Sequence, residues 1–308
     1  MQYLILWFNL FFLAISISIA DDNYILRLND ITPGELKEIV NGKLFVKDHT
    51  FYCYQQFFDK KLYIYKSNVN ILDIIDVSHI RRVMDFIVTN NDKFIFLTYR
   101  YDKNNKKYST SLVIYDYKLK TQSNYSYPFY PQGIYLKHNN IYILGNYKNN
   151  LINLLNNDYS IKTSFFKSDF SQKFQTHFQL PFYINDAGTI FLGHTDKFAI
   201  TILNKKNEKN SIRINNERDL ISVNKIIDRR KIFRIKGIHS ILALKNVLYV
   251  SCFDHSQEQT KFWYDIINLD TNKVISTITT PFLFNFIKDG KHSYVYKDVG
   301  PFQLFRIK

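Results

Sequence analysis

A short run of aromatic and aliphatic residues returns six times along the chain, each time after an asparagine, aspartate or glycine turn. The copies are DKKLYIYK at Asp59, NNDKFIFLTY at Asn90, HNNIYILG at His138, DAGTIFLG at Asp186, LKNVLYVS at Leu244 and DGKHSYVYK at Asp289. Each follows another apolar run: FYCYQQF, DFIVT, GIYLK, FYIN, SILAL and LFNFI. A third run comes after, as NILDII, STSLVIYDY, NLINLL, FAITIL, WYDIINL and FQLFRI. A fourth is often visible, as TQSNYSY, SIKTSFF, NSIRIN and KVISTIT. Runs of this length between turn residues read as strands joined by hairpins, so the unit is a four-stranded antiparallel sheet.

Such a sheet carries two apolar faces and cannot bury both by itself. Units recurring at roughly 35 to 58 residues lie within or near the spacing of propeller blades, which bury both faces by packing radially. The expected fold is all-β: a six-bladed β-propeller of four-stranded antiparallel blades, forming a single domain over residues 21–308. The sixth unit ends on FQLFRIK, one strand short, which would leave an unpaired edge. An N-terminal strand is expected to complete that C-terminal blade. NYILRLN at Asn23 is preferred for this role over GKLFVKD at Gly42, and FYCYQQF then forms the innermost strand of the first blade.

PQGIYLKHNNIYILGNYKNNLINLLNND resembles an NHL-type propeller repeat, whose pattern is Pro-x-Gly-Ile, a turn, an Ile-Tyr-Val strand, an Asn and a third strand. LPFYINDAGTIFLGHTDKFAITILNKK is similar, with Phe182 where the glycine would fall. The other four units keep only the apolar positions and the turn. The resemblance implies the broader group of six-bladed propellers that includes TolB-like secreted proteins. The Gly-His and Trp-Asp signatures of WD40 repeats, the double glycines of kelch and the YWTD motif are absent.

Composition agrees with strands. Of 308 residues 46% are hydrophobic and 17% aromatic, with 23 Tyr and 27 Phe, types that suit a half-buried pleated surface. The formal charge of +14 arises from 41 Lys+Arg against 27 Asp+Glu. Most lysines sit singly at turns, and only Arg81-Arg82 and Arg229-Arg230-Lys231 cluster. Neither has the aromatic-and-glycine setting of an RNA-binding sheet, so nucleic acid is not expected as a partner.

The opening segment MQYLILWFNLFFLAISISIA lacks charge and ends in Ser18 and Ala20 before Asp21-Asp22. It reads as a secretory signal peptide over residues 1–20, cut after Ala20. The alternative is an uncleaved anchor, because the n-region lacks Lys and Arg and the apolar run nearly spans a bilayer. Either reading makes the rest of the chain secreted or extracytoplasmic, with membrane attachment only if the segment is retained. Asn124-Tyr125-Ser126 is an N-glycosylation sequon, usable in a eukaryotic host. Cys53 and Cys252 fall on blades one and five with blade six between them, so they are expected to be free, buried thiols.

No Walker loop, dinucleotide fingerprint, HExxH, GxSxG elbow or EF-hand loop is present, and the eight histidines are dispersed. No catalytic residue, metal ligand or cofactor is assigned. Propellers concentrate function where loops leave the second strand of each blade. That places Arg100, Tyr101 and Asp102 in blade two, Asn146 and Tyr147 in blade three, and His194 and Asp196 in blade four. Asp254 and His255 follow in blade five, and Lys297 and Asp298 in blade six. Tyrosine and arginine offer large contact area at low entropic cost, so these loops form a candidate recognition face for a protein or glycan partner. The alternative is a lactonase-like or lyase-like propeller hydrolase or lyase holding a divalent cation such as calcium in its channel. Asp85, Asn90, Asp186 and Asp289 are the available ligands, but they fall at opposite ends of inner strands. The long stretch from Asn216 to Lys236 is expected to form either a decorated outer strand or a short amphipathic helix.

Overall fold

Many of the asparagine-rich breaks are tight hairpin turns. Asp48 and His49, His138 and Asn139, and Lys148 and Asn149 each take positive φ at both central positions, between 48° and 67°. Two consecutive residues with positive φ define a turn whose twist matches the flanking strands. Asn, Asp and His tolerate that region better than other side chains, so the turns punctuate the sequence without glycine.

The structure, a computed structural model, describes residues 25–32, 42–55, 60–66, 71–89, 93–102, 104–105, 107–167, 180–194, 198–204, 209–213, 225–228, 231–233, 236–255, 260–297 and 302–308. The leader expected over residues 1–20 lies outside them. Among the described residues no helix is long and apolar enough to cross a membrane.

After β1 (Leu28–Asp30), strands β2 (Gly42–Lys47), β3 (Thr50–Gln55), β4 (Lys61–Lys66) and β5 (Ile71–Asp76) form blade 1. Blade 2 contains β6 (Val83–Val88), β7 (Lys93–Asp102), β8 (Lys107–Asp116) and β9 (Thr121–Tyr127). Blade 3 contains β10 (Gly133–Lys137), β11 (Asn140–Tyr147), β12 (Asn150–Leu155) and β13 (Ile161–Lys167). Blade 4 contains β14 (Phe182–Ile184), β15 (Ile190–Gly193), β16 (Ala199–Leu203) and β17 (Lys209–Arg213). A separate two-stranded hairpin, β18 (Lys225–Asp228) and β19 (Lys231–Phe233), precedes blade 5. Blade 5 contains β20 (Lys236–Leu244), β21 (Val247–Asp254), β22 (Lys261–Asn268) and β23 (Lys273–Thr280). Blade 6 orders β1 beside β26 (Gln303–Ile307), then β25 (His292–Lys297) and β24 (Asn285–Asp289). The molecule is thus an all-β, six-bladed propeller of four-stranded antiparallel blades, with an N-terminal strand completing the C-terminal one.

That closing strand comes from the end of NYILRLN, as expected. Three residues of pairing are extended by hydrogen bonds beyond the strand. Ile31 donates its N–H to Leu304 O at 2.9 Å, and Leu304 donates its own to Thr32 Oγ1 at 2.8 Å. GKLFVKD does not take the closing role for which it was the alternative. It is β2, the first strand of blade 1, and FYCYQQF is the second. Leu44 and Val46 alternate with half-buried residues along β2, so burying one face of GKLFVK demands a blade position. The segment after Asn216 also differs from both expectations. It pairs with itself as β18–β19, while NSIRIN supplies the outer strand of blade 4.

The chain divides into two compact units, Asn29–Leu180 with Ile287–Arg306, and Pro181–Phe286 with Met1–Leu28 and Ile307–Lys308. In the former, blades 1 and 2 pack through Tyr54, Leu62, Phe86 and Phe96. Blades 2 and 3 pack through Ile87, Leu97, Ile134 and Ile143. Blades 6 and 1 meet through Phe51, Cys53, Tyr294 and Phe302, the Phe51 and Tyr294 rings standing edge to face at 5.2 Å. In the latter, blades 4 and 5 share Phe198, Ile200, Ile238, Val250 and Cys252. Each fully buried ring or aliphatic chain contributes about 1.5–3 kcal/mol. Both cysteines are free and buried, and burial pushes the Cys53 thiol well above its ordinary pKa.

Candidate functional site

On the side of blades 2 and 3 where their second strands end, Gly145 lies against the Phe129–Tyr130 segment. A Cβ there would lie 2.4 Å from the Phe129 ring and 2.7 Å from Tyr130 O. Only glycine therefore lets the Phe129–Tyr130 segment cross β11 so closely. Anchored in this way, Tyr130 places its ring 5.5 Å from Tyr99 on β7, and the Arg82 guanidinium sits 5.6 Å above the Tyr99 ring. Phe129 lies 6.0 Å from the Tyr147 ring, over which Lys148 Nζ stands at 5.2 Å. Two short ladders of cation and aromatic thus meet at adjacent residues of one connection.

The β7–β8 hairpin extends this surface outward. Its strands are paired to Asp102 and Lys107, so Arg100, Tyr101 and Asp102 lie on a strand, not in the long loop expected from the sequence. Alternation puts Tyr101 on the same face of the sheet as Tyr99. Tyr101 is 37% exposed, the one exposed aromatic among the described residues. Asp102 is committed to the turn. Its Oδ1 accepts from Asn104 N at 2.9 Å and Asn105 N at 3.3 Å, and Oδ2 from Asn105 Nδ2 at 2.8 Å. These donors, with the Arg100 charge, hold its carboxyl below the ordinary carboxylate range. Asn146 is half-buried at the end of β11.

In the other unit the expected residues are mostly turned to structural work. His194 is buried, its Nε2 2.7 Å from Thr201 Oγ1 on β16, and its N–H donates to Ala199 O. Asp254 ends β21 and is buried. His255 is exposed beside the Phe253 ring at 4.9 Å, with Nδ1 2.9 Å from Thr260 Oγ1. Desolvation lowers its pKa, opposed by the Asp254 charge. Asp196 and Asp298 lie outside the described residues. Asn124 is exposed on β9, where it accepts from Gln122 Nε2 at 3.3 Å.

The structure sets Tyr147 between Phe129 and Lys148 and puts Tyr101 two residues along β7 from Tyr99; Arg82, Tyr99, Tyr130 and Lys148 were not among the residues expected from the sequence. The Arg81-Arg82 pair, already exceptional among scattered lysines, was the signal available for one of them. For a cation, Asp289 Oδ2 accepts the His49 N–H at 3.0 Å, and Asp85 Oδ2 accepts that of Ile134 at 3.3 Å, so the two serve different partners. Asn90 lies outside the described residues. Among the described residues no three His, Cys, Asp or Glu side chains come together as a metal ion would need.

The fold and this surface define a six-bladed propeller with an aromatic and basic patch on blades 2 and 3. No family model and no curated protein matches the sequence. Solved structures do share the fold. A Bacteroides fragilis protein named as exported matches at 11% identity and TM-score 0.58, over 94% of this chain and 97% of its own. A duf4221 family member from Bacteroides vulgatus matches at 9% identity and TM-score 0.56, over 94% and 96%. Virginiamycin B lyase from Staphylococcus aureus matches at 11% identity and TM-score 0.53, over 92% and 99%. At these identities the likeness is one of fold.

Proposed function

We propose that this chain is an exported propeller that binds a protein or glycan partner without chemically altering it. The observation carrying this reading is the contact series Arg82–Tyr99–Tyr130, with exposed Tyr101 two residues further along β7. Tyrosine and arginine recur at binding hot spots because they bury large area at little entropic cost. Asp102 and His194 serve as structural supports of their loops. The leader-like residues 1–20 support export, and a fold relative is itself named as exported. A lyase also shares the fold, and a catalytic propeller with a divalent cation is the second reading.

The test uses residues 21–308, immobilised and probed with a glycan array and with the surface proteins of the source cell. Arg82→Ala with Tyr101→Ala is expected to weaken capture by about tenfold or more, the cost of removing two hot-spot side chains. Equal capture by the variant and the parent would sink the assignment of this surface. Turnover of a captured ligand would replace binding by catalysis.

A further inference from the structure

At the opposite ends of the same strands, turns of blades 2 and 3 enclose a cleft of about 460 Å³. That volume falls in the range of small-molecule sites, about 300–1,000 Å³. Lys93 opens β7 and lines this cleft, whereas Tyr101 stands near the far end of that ten-residue strand, about 25 Å away at the strand rise. The cleft is therefore separate from the surface around Tyr99 and Tyr101.

Among the described residues its lining is polar yet almost uncharged. Asn139 comes from the β10–β11 turn and Asn140 opens β11, while Asn156 and Asn157 come from the β12–β13 turn. Each amide offers two donor hydrogens and one acceptor oxygen. Some of that capacity sets the geometry: Asn156 Nδ2 donates to Ser160 Oγ at 2.8 Å, and Asn140 Nδ2 to His138 O at 3.4 Å. Leu136, Ile141 and Leu155 supply an apolar strip. Among the described residues Lys93 is the one charged side chain of the lining, and Asp116 Oδ2 stands 3.9 Å from its Nζ.

Tyr159 completes the wall at a backbone φ of 65°. Left-handed backbone is costly for a bulky residue, and turns of this kind ordinarily place glycine or asparagine there. The position is held by Tyr127, which donates its hydroxyl to Tyr159 O at 2.5 Å, and by ring contact with Tyr125 at 4.9 Å. The ring is kept at the cleft despite the backbone cost.

We propose that this cleft binds an uncharged pyranose saccharide. Vicinal hydroxyls both donate and accept, which is what clustered amides require, and the C–H face of a pyranose suits the strip of Leu136, Ile141 and the Tyr159 ring. An anionic ligand would meet a lysine already facing a carboxylate.

The test is calorimetric titration of residues 21–308 with maltose, cellobiose and N,N′-diacetylchitobiose, each taken to about 10 mM, with inorganic phosphate in parallel. At least one disaccharide is expected to bind. Asn140→Ala with Asn157→Ala should weaken it by about tenfold while changing the melting temperature little, because both side chains are exposed. Tyr159→Asn, which keeps a residue suited to the left-handed backbone while removing the ring, should also lose binding. No saturable heat with any disaccharide would overturn the proposal. So would equal affinity in the double asparagine variant, or phosphate binding that displaces the sugar.

Discussion

Asn153 has no exposed surface, and its amide closes the irregular part of blade 3. Nδ2 donates to Ile143 O at 3.2 Å and to Gly145 O at 2.8 Å, next to the register shift between Leu144 and Tyr147, while Oδ1 accepts from Ser164 Oγ at 2.7 Å. Every polar atom that the bulge strips of a ladder partner is expensive to leave unpaired inside a protein. Asn153→Ala is expected to cost about 2–3 kcal/mol, read as a lower urea midpoint at unchanged slope. Asn153→Ser should do nearly as badly, since a hydroxyl cannot reach two carbonyls at once. Nothing in the sequence separates Asn153 from Asn149, Asn150 or Asn156, because its importance lies in carbonyls supplied by another strand. Gly145 ends the run HNNIYILG as Gly193 ends DAGTIFLG, but only the structure reveals that Phe129 fills the space where a side chain would stand.

Individual strands were legible wherever apolar and polar residues alternate, since period two is a local property of the chain. Which strand lies first in a blade is not local. β2 and NYILRLN both suit a sheet, and only the packing of Leu44 and Val46 against blade 6 residues such as Tyr296 and Leu304 assigns β2 to blade 1. The β7–β8 hairpin makes the same point, because Arg100 to Asp102 look like loop residues until their ten-residue partner strand is seen beside them. Closure by β1 rests on few bonds, and Thr32 takes part in an outsized share of them. Its Oγ1 accepts from Leu304 N and donates to Asp30 Oδ1 at 2.6 Å. Thr32→Ala is expected to cost about 1–2 kcal/mol and to raise hydrogen exchange at Leu304 more than at Leu144 of blade 3. Uniform protection across those two amides in the variant would mean that the clasp does not depend on Thr32.

The whole molecule carries a formal charge of +14, and acid adds to it. His255 and His292 both hold folded-state pKa values below the ordinary 6.5. Desolvation is the leading cause in each. For His292 the charges of Arg306 and His49 add to it, the two imidazole rings lying 4.8 Å apart. The unfolded chain therefore binds protons first as pH falls through about 6.5, so these groups leave stability intact above that pH and erode it below. The thermal midpoint should fall between about pH 7 and pH 5, and His255→Gln with His292→Gln should flatten that part of the profile. A steeper decline in the double variant would refute the assignment. Strand identity, hairpin turns and a six-fold repeat follow from the sequence by itself, because alternation and turn chemistry act over a few neighbouring residues. The order of strands in blade 1, the aromatic and basic surface on blades 2 and 3, and the amide-lined cleft were decided by tertiary structure alone. Each unites side chains tens of residues apart, and it is packing between blades, rather than local preference, that selects which of them meet.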